Sequence, residues 1–130
     1  MRSRVISVTV DREWRDVYDR IWRPEDFLKW ASGLSAAALS QDGDVWRGQG
    51  PEGPISVRFT PHNAYGVMDH VVDVGKAADV YIPLRVIANG DGADIQLTLF
   101  RQPEMSDADF ARDAEWVERD LKALEALLAN

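Results

Sequence analysis

Gly66-Val-Met-Asp-His-Val-Val-Asp-Val74 is the most strand-like run of the chain. It opens on a glycine, is rich in β-branched residues and sets one histidine, His70, among apolar neighbours. Two alternating sets can be read in it: Met68, His70, Val72 and Val74, or Val67, Asp69, Val71 and Asp73. Successive strand residues point to opposite faces, so the set that faces inward decides what the neighbouring strands must present.

Working outward, short alternating segments separated by turn residues surround this run. They predict strands over 35–40, 44–50, 54–60, 79–88 and 94–101 in addition to 66–74. The separators are Asp42-Gly43, Gly50-Pro-Glu-Gly53, Pro61-His-Asn63, Gly75-Lys76 and Asn89-Gly-Asp-Gly92. Strands joined by such short connections form an antiparallel meander.

Polarity selects the register. Ile55, Val57 and Phe59 share one face of their strand, as do Val80, Ile82, Leu84 and Val86, and Ile95, Leu97 and Leu99. Matching these faces sets Trp46, Val57, His70, Leu84 and Leu97 in one inward row, and Arg58, Asp69, Arg85 and Gln96 on the outer face. The opposite choice would bury Asp69 and Asp73 without partners, at a cost of several kcal/mol in a dry interior.

Upstream, 4–10 alternates through Ile6, Val8 and Val10 and predicts a first strand. Asp11 is the expected N-cap of a helix to about Trp22, whose Trp14, Val17, Tyr18 and Ile21 lie on one face. Pro24 suits the first turn of a second helix carrying Phe27, Leu28 and Trp30, with Gly33 ending it. Downstream, Ser106 and Asp109 have capping-box spacing before a long helix with the stripe Phe110, Ala114, Val117, Leu121, Leu124 and Leu128. One apolar sheet face and one apolar helix stripe must cover each other, so an α+β domain over 1–130 is expected.

This order resembles the START-like or Bet v 1-like (SRPBCC) superfamily, which includes polyketide cyclase/dehydrase and lipid-transport proteins. The resemblance spans nearly the whole chain and also rests on Trp46-Arg-Gly, Gly66-Val-Met-Asp-His, Pro83-Leu-Arg and Met105-Ser. It implies a helix-grip fold: a curved antiparallel sheet of about seven strands, in β-α-α-β6-α order, wrapped around the C-terminal helix. It further implies a cavity for an apolar ligand between sheet and helix. The residues expected to line it are His70 with Trp46, Val57, Phe59, Met68, Leu84 and Leu97 from the sheet, and Val117 and Leu121 from the helix.

Three functions fit. The first is binding of a small hydrophobic molecule (lipid, polyketide-like or aromatic), with His70 as a polar contact. The second is a cyclase or dehydratase with His70 as general acid or base, its imidazole tunable near neutrality. That chemistry needs a further polar group, for which Tyr18, Tyr65, Tyr81 and Arg85 are the candidates. The third is a ligand-free interaction module, a homodimer included, using exposed aromatics such as Trp22 or Trp116. A core histidine satisfied by a carbonyl is the plain structural reading of His70.

Other patterns dissolve on inspection. Gly48-Gln-Gly-Pro-Glu-Gly53 matches a dinucleotide fingerprint in spelling, but Pro51 and Pro54 bar the helix that motif must open. Asn89-Gly-Asp-Gly-Ala-Asp94 lacks the distal glutamate of a calcium loop and reads as a hairpin turn. There is no cysteine, and the second histidine, His62, sits beside Pro61 with no zinc spacing. No metal or other cofactor is expected. A net charge of −7 argues against nucleic acid and anionic membrane surfaces as partners. Residues 106–130 alone hold seven acids against three bases, the solvated face of the last helix. No apolar run reaches the roughly 20 residues of a membrane span. Arg2 and Arg4 are followed by no apolar signal region, so a cytoplasmic protein is the expectation.

Overall fold

The computed structural model describes residues 1–50, 53–75 and 78–129. Strand β1 (Ser3–Val10) leads into three short helices, α1 (Trp14–Ile21), α2 (Pro24–Phe27) and α3 (Ser32–Ala36). Seven strands follow: β2 (Ser40–Asp42), β3 (Val45–Gly50), β4 (Gly53–Phe59), β5 (His70–Asp73), β6 (Val80–Ile82), β7 (Leu84–Asn89) and β8 (Gly92–Phe100). Helix α4 (Asp107–Leu128) closes the order.

All pairings are antiparallel, in the orders β1-β8-β7 and β2-β3-β4-β5-β6. The α+β architecture and the curved antiparallel sheet under a C-terminal helix are therefore as expected, while the described residues form eight strands. The extra strand comes from Pro83, which splits the expected 79–88 strand into β6 and β7. Proline supplies no amide hydrogen to a ladder, so one continuous strand cannot pass through it. The carbonyl of Pro83 still accepts from Thr98 N at 2.9 Å, which keeps β7 in step with β8.

Several boundaries differ from expectation. The N-cap of α1 is Glu13, whose carboxylate accepts from Asp16 N at 3.0 Å; Asp11 lies two residues too early. Helix α2 ends at Phe27, and Gly33 lies inside α3 instead of terminating a helix. The strand expected over 35–40 does not form: 32–36 is α3, and β2 starts only at Ser40. Ser35-Ala-Ala-Ala-Leu39 is alanine-rich, which favours helix, and Ala37 and Leu39 are buried without belonging to a strand. Of the expected 66–74 strand only β5 pairs as a strand, with Val67 making an isolated bridge to Arg85. The expected turns at Pro51-Glu52 and Lys76 lie outside the described residues. The hairpin at Asn89–Gly92 forms, with Gly90 in the left-handed region at φ 57°.

Facing is as the polarity pattern requires, but pairing is displaced by two residues. His70 lies opposite Phe59 and Ile82 instead of Val57 and Leu84, and Val57 lies opposite Val72. Trp46 opposite Val57 and Leu84 opposite Leu97 are as expected. A two-residue slip keeps every side chain on its face, so alternation alone cannot detect it.

The core lies between the concave sheet and the helices. It is built from Val17, Tyr18 and Ile21 of α1, Phe27 of α2, Leu84, Val86, Ile95 and Leu97 of the strands' inner face, and Ala114, Leu121, Leu124 and Leu128 of α4. The capping box of α4 is present: Ser106 Oγ accepts from Asp109 N at 3.0 Å, and Asp109 accepts from Ser106 N at 3.4 Å. Among the described residues no helix is long and apolar enough to cross a membrane.

Candidate functional site

His70 opens β5 on the concave face and is 5% exposed. Its ring stands edge-on to Phe27 at 5.2 Å and stacks over Phe59 at 5.8 Å. Nδ1 lies 3.2 Å from the carbonyl oxygen of Met68. A carbonyl can only accept, so Nδ1 is the nitrogen that carries the hydrogen and donates. Burial pulls the His70 pKa down to about 4, against smaller upward pulls from the Met68 carbonyl and the Asp69 charge. The ring is thus neutral near pH 7, and Nε2 is a bare acceptor. It has no hydrogen-bond partner among the described residues.

The ring borders a recess of about 170 Å³ between the sheet and the first half of α4. Val72, Ile82, Leu97 and Leu99 form its sheet wall, Trp30, Ala31 and Leu34 one flank, and Trp116, Val117 and Asp120 the helix wall. At its edge Trp116 Nε1 donates to Ser32 Oγ, and Ser32 Oγ donates to Asp120 at 2.8 Å. A backbone bond from Ser32 N to Asp120 at 3.2 Å completes that latch. Burial raises the Asp120 pKa, opposed by the bonds from Ser32. Trp30 is 6% exposed, and its indole N–H is buried with no acceptor among the described residues.

Of the residues expected to line a cavity, His70, Leu97 and Val117 meet at this recess. Met68, Leu84 and Leu121 belong to the solid core instead. Val57 sits in a separate cluster with Ala37 and Leu39, against which Trp46 and Phe59 pack. Sequence reasoning missed Trp30, Ala31, Leu34 and Asp120, because their approach depends on how the α2–α3 segment folds over the sheet. A larger depression, about 620 Å³, lies against exposed Arg47, Gln49 and Ala38 and is an open surface groove lined by small and polar groups.

Asp69 and His70 part company, as adjacent strand residues must, but Asp69 does not lie exposed. It is 8% exposed and gathers three donors: Tyr81 OH at 2.5 Å, Leu84 N at 2.9 Å and the Arg85 guanidinium at 3.0 and 3.3 Å. Burial would raise its pKa, but the bonds from Arg85, Tyr81 and the Leu84 amide outweigh burial and hold it below the ordinary value. The same bond from Tyr81 pushes the tyrosine pKa up. Arg58 is not the expected second guanidinium; it pairs with Asp79 at 3.4 Å. Tyr81 belongs to β6 and Leu84 and Arg85 to β7, so Asp69 pins the two sheets together across the Pro83 break.

The other polar candidates are also placed elsewhere. Tyr18 OH accepts from Asn63 N at 2.9 Å, and Tyr65 is 79% exposed. His62 packs on Trp22 at 4.7 Å and Tyr18 at 5.3 Å at the surface, away from His70. Gly48 and Gly50 lie in β3 and Gly53 in β4, so these glycines belong to a strand pair. Among the described residues no three histidine, aspartate or glutamate side chains come together as a metal site.

No protein-family model matches the sequence, and no curated protein matches it. Solved structures do match, over nearly all of the chain. XoxI from Bacillus cereus superposes with a TM-score of 0.74 at 15% identity, covering 100% of this chain and 97% of that one. Aha1 from Colwellia psychrerythraea, solved as a dimer, gives 0.73 at 12% identity, over 99% and 97%. A START superfamily protein from Mycobacterium smegmatis gives 0.67 at 12% identity, over 97% and 96%. At such identities the likeness establishes the fold: this chain has the START-like helix-grip fold.

Proposed function

We propose that this protein binds a small apolar molecule of about single-ring size in the recess between the sheet and α4. The observation that carries the reading is an apolar recess of about 170 Å³ with one buried neutral imidazole on its wall. A dry apolar cavity of about 150 Å³ is enough for benzene, whereas drug-sized ligands occupy about 300 Å³ or more. A long-chain lipid is therefore a poor fit, and an aromatic or alicyclic ring a good one.

Binding is favoured over catalysis on chemical grounds. A general base works best with a pKa near the operating pH, and an imidazole at about 4 is a weak base at neutrality. The remaining ionisable group on the wall, Asp120, has its oxygens held by Ser32. The Aha1 likeness is to a dimer, but a recess with an apolar lining argues for a ligand rather than for an interaction surface alone.

Toluene, titrated against tryptophan fluorescence, tests the reading, because Trp30 and Trp116 both line the recess. The expected result is a saturable change in wild type and none in Val117→Trp, whose larger side chain fills the space. The absence of a saturable change with any single-ring compound in folded wild-type protein would overturn it.

A further inference from the structure

The recess has a hydrogen-bonding sense as well as a shape. Nδ1 of His70 is committed to donating to Met68, which leaves Nε2 as an acceptor without a protein partner on the recess wall. A ligand carbonyl or ether would bring a second acceptor to that point and gain nothing. Trp30, on the same wall, holds a buried indole N–H with no acceptor among the described residues. Trp30 and His70 both pack on Phe27, at 5.5 and 5.2 Å between ring centres, so the Trp30 indole reports on what binds at His70. An acceptor left unpaired in an apolar wall is unfavourable, and a ligand group that donates to it recovers that loss.

The lining also excludes charge. Among the described residues no lysine or arginine borders the recess, and the one ionisable acid there is Asp120. A carboxylate ligand would meet a lone pair at His70 and a like charge at the rim, with no cation to offset its desolvation. A hydroxyl, by contrast, donates through its hydrogen and accepts through its oxygen at the same time.

We propose that the recess selects a monocyclic alcohol or phenol, whose hydroxyl donates to Nε2 of His70. This assignment rests on the ligand-binding reading above and specifies its ligand class.

Isothermal titration of the full chain with phenol, toluene and benzoate at pH 7 tests it, with the indole N–H resonances followed by NMR. Phenol is expected to bind about tenfold tighter than toluene and benzoate not measurably, with one indole N–H resonance shifting on binding. His70→Phe, of similar volume and checked for a native thermal transition, is expected to abolish the preference while keeping toluene binding. Trp30→Phe supplies a second variant, expected to remove the shifted resonance and to leave the preference in place. Equal affinity for phenol and toluene, a preference for benzoate, or an unchanged preference in folded His70→Phe overturns the hydroxyl assignment while leaving the binding reading in place. If none of the three compounds binds, the binding reading falls with it.

Discussion

His70 and Asp69 are neighbours in sequence with opposite electrostatic fates. The histidine is desolvated in an apolar wall, which lowers its pKa from 6.5 to about 4. The unfolded chain therefore binds a proton between these values that the folded chain does not, so stability rises with pH across that window. His70 costs nothing above pH 6.5, and its penalty grows to about 3 kcal/mol as pH falls to about 4. Chemical denaturation of wild type and His70→Phe between pH 4 and 7 checks this: the wild-type curve should fall towards acid, and the variant's should be flatter by that amount. Asp69 is the reverse case, an acid whose lowered pKa stabilises the fold above about pH 4 and is lost below it. Asp69→Ala strands the buried Leu84 amide and should cost about 2–3 kcal/mol by urea titration. Arg85→Ala should cost less than 1 kcal/mol, because the guanidinium is half exposed and stays hydrated when unpaired. The Asp-His adjacency was legible in the sequence, as was the divergence of the two side chains. The burial of Asp69 was not, because it depends on the chain leaving the strand pattern at 66–69.

Helix α4 and the strand seam behave as elements whose parts differ in importance. The capping box at Ser106 and Asp109 was readable from spacing alone, and Ser106→Ala should destabilise by about 1 kcal/mol in thermal melts. Along the same helix, Leu121 is fully buried in the core and Val117 borders the recess. Leu121→Ala should cost about 2–5 kcal/mol, whereas Val117→Ala should cost under 1 kcal/mol, since it enlarges a space already present. A measured equality of the two would contradict the location of the recess. Gly66 is the other sensitive point. It has φ 70°, and a Cβ there would come within 2.6 Å of the Val86 carbonyl oxygen. Its own carbonyl accepts from Val86 N at 2.9 Å, so the backbone cannot retreat freely. Gly66→Ala should cost about 2–4 kcal/mol in a denaturant titration, combining left-handed strain with the close approach.

At the scale of the molecule, the recess is bounded by the sheet, the α2–α3 segment and α4, so occupancy should stabilise the whole fold. At 100 times Kd a ligand adds about 2.7 kcal/mol, which raises Tm by several degrees in wild type and not in Val117→Trp. Differential scanning fluorimetry with phenol reads this directly. The sequence by itself determined the α+β class, the order of strand, helices, meander and long helix, and which side of each strand faces inward. Those features are local, set by periods of two and 3.6 residues and by turn and capping chemistry. Only the tertiary structure decided the two-residue offset that puts His70 against Phe59 and Ile82, the break at Pro83, and the folding of 32–36 as helix. It alone brought Trp30, Leu34 and Asp120 to the His70 wall. Polarity alternation is unchanged by a slip of two, and the contacts of Trp30 with His70's surroundings join residues forty positions apart, so packing and hydrogen bonding between elements had to make the choice.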